Sequence, residues 1–246
     1  MRRFLLPTLL LLPSLAKSAD VTVYLPADTD LVVTMQVRQV AESELGKKIG
    51  KELIKELLGS SKQATAAVEA TGLDPLKDFD LVTVGMDLDK TDNPKPFALL
   101  EGKWDKKKVE DAIAAFAKAN PTKLLPMMLG EKPAFKLPGS QQHDTMFGAI
   151  IDDTKMVIAG TEKDLTAAFA ASEGKRKPAI SKELANLLAM AKSPAPIFGR
   201  AWVKGKLSEL KLPNEKLQAQ LANVDWATAA VTITKDVSLL VTINTP

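Results

Sequence analysis

The sequence predicts an α+β fold: a largely antiparallel sheet with helices packed on one face. Three observations predict it. Two stretches read as strand, polar turn, strand: "FDLVTVGMDLDKTDNPKPFALLEGKW" at 79–104 and "VDWATAAVTITKDVSLLVTINT" at 224–245. Between such stretches stand segments whose apolar residues recur at helical spacing. The chain also has no cysteine, so its fold is held by its core alone. A chain of about 230 residues can do that, burying roughly 70–75% of its unfolded surface.

Residues 20–37, "DVTVYLPADTDLVVTMQV", predict a short strand, a turn and a second strand. Leu31, Val33, Met35 and Val37 alternate with Val32, Thr34 and Gln36, which turns one set to a core and leaves the other half-exposed. A helix follows over 41–59, with Leu45, Ile49, Leu53 and Leu57 as its apolar stripe and Gly59 as its stop. A second helix ends at Gly72. After the first hairpin, Asp105 caps a helix that turns Val109, Ile113 and Phe116 inward, and Pro121 closes it. Residues 123–144 are rich in proline and predict no regular element. A hairpin about Asp152 and Asp153, a helix over 162–174, an exposed basic loop and a helix capped by Ser181 come next. Beyond Pro194 and Pro196 the order strand, short helix (212–224), hairpin repeats the order of the first part. The expectation is one domain over 17–246, built of two unequal halves, about 20–192 and 193–246.

The start, "MRRFLLPTLLLLPSLAKSAD", has two arginines, an apolar run from Phe4 to Leu15, then small residues. That is the order of a secretory signal peptide, with cleavage after Ala16 set by Ser14 and Ala16. The run is too short for a bilayer core that needs about 20 residues; a retained N-terminal anchor is the rival reading. The expected location is the periplasm or the extracellular space, without a membrane span after cleavage. Loss of Arg2 and Arg3 takes the net charge from +3 to +1, so a sequence pI of 8.9 is no sign of nucleic-acid binding.

"LPADTDLVVTM", "GLDPLKDFDLVTV" and "LLEGKWDKKKVEDAI" together resemble a group of uncharacterised exported bacterial α+β proteins. The resemblance spans most of the mature chain and implies fold and export. It brings no activity with it.

Chemistry-bearing residues are sparse. With no cysteine and the single His143, zinc sets and Cys-His catalysis are excluded, and Ser140 near His143 lacks a nucleophile elbow. Asp87, Asp89, Asp92 and Asn93 cluster oxygens but lack the glycine and terminal glutamate of an EF-hand, so a polar turn is expected. No phosphate-binding loop occurs, and no cofactor or metal is expected. Lys47, Lys48, Lys51 and Lys55 make a basic amphipathic helix that could lie on anionic lipid, but they share its polar side with Glu52 and Glu56, which suits a helix packed on a sheet. The candidate ligand site is Leu124, Leu125, Met127, Met128 and Leu129, a Leu/Met run between prolines suited to an apolar ligand or a partner. The sequence therefore predicts an exported, non-enzymatic binding or interaction protein whose partner is a protein or an apolar small molecule. A carrier of lipid or another apolar ligand is the alternative, and a hydrolase of unfamiliar type a distant third.

Overall fold

A computed structural model describes residues 20–59, 62–89, 95–139, 145–190, 193–206 and 223–245. The signal sequence expected over residues 1–16, His143, Ser140, Asp92, Asn93 and nearly all of the predicted 212–224 helix lie outside them.

The alternating segments form one ten-stranded sheet. Its strands are β1 (Leu31–Gln36), β2 (Phe79–Met86), β3 (Phe97–Gly102), β4 (Leu125–Leu129), β5 (Lys132–Leu137), β6 (Met146–Asp152), β7 (Lys155–Ala159), β8 (Ile197–Trp202), β9 (Trp226–Ile233) and β10 (Val237–Asn244). They lie in the order β10-β9-β8-β1-β2-β3-β7-β6-β5-β4, and each neighbouring pair is antiparallel. The helices are α1 (Val37–Glu42), α2 (Glu44–Gly59), α3 (Lys62–Thr71), α4 (Pro75–Asp78), α5 (Lys106–Ala119), α6 (Glu162–Ser172) and α7 (Lys182–Ala189). Both hairpins opened above are present as β2–β3 and β9–β10, and the fold is α+β. The β1–β2–β3 and β8–β9–β10 meanders flank the β1–β8 junction in mirrored order. Of the segment that joins β8 to β9, residues 207–222 lie outside the described residues.

Helices cover both faces of the sheet, where the sequence reading placed them on one. Successive residues of the central strands point to opposite sides, and both sides are buried. Phe97, Leu99, Ala149, Val157 and Ala159 pack with Leu165, Ala168 and Phe169 of α6 and Leu184 and Leu187 of α7. Their neighbours Leu100, Ile150 and Met156, with Phe135 and Leu137, pack with Ala66 and Ala70 of α3 and Val109, Ile113 and Ala117 of α5. Phe116 joins this second cluster half-buried, so the inward face read for α5 holds, as do its cap at Asp105 and the α7 cap at Ser181. Gly148 lies under the Phe135 ring, whose nearest carbon would stand 2.3 Å from an added Cβ.

Four local expectations differ. Residues 21–23 form a turn of 3-10 helix rather than a strand, because the Asp20 carboxylate accepts from the Thr22 amide and hydroxyl. The carbonyls of Val23, Tyr24 and Leu25 then accept from the Arg176 guanidinium, each at 2.9 Å, in place of a neighbouring strand. Arg176 belongs to the loop read as merely exposed; it clasps the start of the chain. In β1 the better buried side chain is Val32, whereas Leu31, Val33 and Met35 are half-buried. Ile49, at the centre of the α2 stripe, is exposed, since α2 meets α1, α3 and the end of β9 rather than lying along the sheet.

Candidate functional site

The run at 124–129 is a regular element. Leu125–Leu129 is β4, an edge strand, and Gly130 opens a two-residue turn into β5 at φ 62°, the conformation that a glycine supplies in a II′ hairpin. Pro126 is tolerated on an edge, and Pro133 precedes the point where β5 begins to pair with β6 at Phe135. Strand geometry then separates the five candidate residues. Leu124 is fully buried against α5 and α3 on one face; Met127 and Leu129 pack against the other face; Leu125 and Met128 are exposed. The sheet itself stands between Leu124 and Met127, so the five do not line a common cavity.

Asp30, Asp87 and Asp89 bring carboxylate oxygens within 4.8 Å of one another. The Lys206 ammonium already sits among them, donating to Asp30 at 2.7 Å and to Asp89. Burial pulls the Lys206 pKa down, but the bonds to Asp30 and Asp89 outweigh it and hold the pKa above its ordinary value. Asp30 also accepts from the Leu88 amide at 3.1 Å. The arrangement is an ion-paired lock between the β1 entry, the β2 exit and the β8 exit.

A cleft of about 410 Å³ opens beside α6. Asp28, Asp87 and Asp164 line it together with Lys95, Lys163 and Arg176, so its charges balance. Thr161 caps α6 there, its hydroxyl accepting from the Asp164 amide at 3.1 Å, and Arg176 is committed to the three carbonyls named above.

The surface that stands apart is β10. Val237, Leu239, Leu240, Val241 and Ile243 are between 54% and 67% exposed. Among the described residues the strand is an outer edge of the sheet; it pairs with β9 in continuous register and holds no proline or charged residue. The carbonyls of Asp236 and Asn244 accept from the amides of Thr234 (3.0 Å) and Asp225 (2.9 Å), so the even-numbered residues turn their backbone groups toward β9. The odd-numbered residues Val237, Leu239, Val241 and Ile243 therefore present theirs outward. Sequence reasoning passed over this strand because its turn carries no reactive side chain. The signal was there in Leu239-Leu240-Val241, three consecutive apolar residues in a strand whose two faces cannot both be read as polar.

The fold is that of an α+β protein built on one large antiparallel sheet. It is similar to a solved structure described as "Structure of crystal form IV of TP0453", at a TM-score of 0.57 and 7% identity over 92% of this chain and 81% of that one. No family model and no curated protein matches the sequence.

Proposed function

We propose that the protein is an exported, non-enzymatic interaction protein whose contact surface is the β9–β10 end of the sheet. The observation that carries this is the bare apolar edge. An uncharged strand with five large side chains more than half exposed is an unusual surface for a protein without a partner. Export is supported by the Arg2-Arg3, Phe4–Leu15 and Ser14/Ala16 pattern, and no helix among the described residues is long and apolar enough to cross a membrane.

A photo-crosslinking amino acid placed at Val241 in living cells, with one at exposed Lys118 as control, tests the reading. Adducts of defined mass from position 241 and none from 118 are expected. A failure of 241 to capture anything, or turnover of an ester or glycoside panel that His143→Ala abolishes, overturns the interaction reading. Fractionation that leaves the protein in the cytoplasm with residues 1–16 attached overturns export.

An apolar carrier is the second reading, favoured by half-buried Leu31, Val33, Met35, Ile197 and Val231. Their register places them side by side on one face of β1, β8 and β9. Extra mass in native mass spectrometry that organic solvent removes, and that Val33→Asp abolishes, supports it.

A further inference from the structure

We infer that the partner at β10 is a second copy of this chain, joined by antiparallel pairing of the two β10 strands about a two-fold axis at Leu240. The inference rests on the interaction reading above and names its partner.

The two edges of the sheet differ. β4, at one edge, carries Pro126, and Lys132 and Lys136 stand opposite it on β5. β10 carries none of the devices that keep strand edges apart: no proline, no lysine, no bulge. An edge left open in this way is a template for another strand.

Self-pairing fits the sequence of β10 residue by residue. A two-fold axis normal to the sheet keeps each side chain on its own face, so residues of like parity meet. With Leu240 on the axis, Leu239 meets Val241, Ser238 meets Thr242 and Val237 meets Ile243. Apolar residues oppose apolar ones, and the two hydroxyls oppose each other, a favourable cross-strand pair. The charged tip falls outside this stretch: Asp236 meets Asn244 and Lys235 meets Thr245, so no like charges are brought together. The outward backbone groups belong to Val237, Leu239, Val241 and Ile243, the residues that this register makes hydrogen-bonded pairs, so every outward N–H meets a carbonyl of the other copy. Shifting the axis to Val241 would set Leu240 against Thr242 and shorten the paired stretch.

The absence of cysteine makes the register directly testable. A pair on the axis is not hydrogen-bonded and has Cα atoms about 4.5 Å apart, within the disulfide range of about 4.4–6.8 Å. Ser238 and its own counterpart would be four residues apart along the strands, about 13 Å. The expected results are a dimer by sedimentation for the purified protein and a monomer with unchanged circular dichroism for Leu240→Lys. Leu240→Cys should oxidise to a covalent dimer and Ser238→Cys should not. A monomeric wild-type protein, a dimer indifferent to Leu240→Lys, or equal cross-linking from 238 and 240 overturns the proposal. If the protein is monomeric while the crosslinker at Val241 captures a different macromolecule, self-pairing falls and the interaction reading stands. If nothing is captured, both fall.

Discussion

Arg200 lies in the middle of β8 and is 7% exposed, a position where an unpartnered charge is costly. Its guanidinium donates to the carbonyls of Leu188 (2.8 Å) and Met190 (3.2 Å), which close the last turn of α7, and lies 4.4 Å from the Phe198 ring centre. One side chain thus fastens a helix end to the sheet. Arg200→Met is expected to lower stability by about 2–3 kcal/mol, read as a fall in the urea midpoint. Glu101 shows the opposite balance. Burial raises its pKa, Lys155 pulls it back, and Asp152 adds to the rise. The folded state therefore binds this proton more tightly than the unfolded chain does, so the ionised form costs stability as pH rises through the interval between the two values. Glu101→Gln should be more stable than the wild type at about pH 7 and equal to it below about pH 4, in melts at the two pH values. Neither role was legible beforehand, because each depends on what a distant segment places beside the side chain.

At the scale of elements, local signals read well and neighbour-dependent ones did not. Asp105 and Ser181 bond to the amides of Lys108 and Leu184 as their positions in the sequence imply. Those interactions are local, three residues long. The strand expected at 21–23 failed because Asp20 caps a 3-10 turn there and the carbonyls that follow, from Val23 on, are taken by Arg176, some 150 residues away. The hairpin at 125–137 was hidden by Pro126 and Pro133; Gly130 was the sign of it. Burial on both faces was visible in "FGAII" and "KMVIA", apolar runs without alternation, which mark strands covered on both sides. The β4 region now yields a contrast. Leu124→Ala should cost about 2–5 kcal/mol, because Leu124 is fully buried. Met128→Ala should change stability by less than about 0.5 kcal/mol. Denaturant titrations of the two variants check this.

For the whole molecule, the sheet divides, among the described residues, into a thick part, covered on both faces, and a thin end at β9 and β10. The candidate contact surface belongs to the thin end, which the sequence reading treated as scaffolding alone. Residues of β10 add little to the core. Deletion of 235–246 is therefore expected to leave a folded chain with a cooperative melt. Deletion of 193–246 also removes β8, bares the edge of β1 and takes away Ala195 and Ala201, which are buried. That chain should aggregate or bind an apolar dye, which fluorescence and light scattering will report.

The β1–β8 pairing has a consequence in time. Val33 and Gly199 are direct partners although 166 positions separate them in the sequence. While the chain is being made, β1 can find β2 but has no second neighbour until the ribosome has passed residue 202. Pairings of such long range form slowly, so the β1–β8 junction closes late. That delay would suit the export proposed above, were the chain to cross a membrane before it folds.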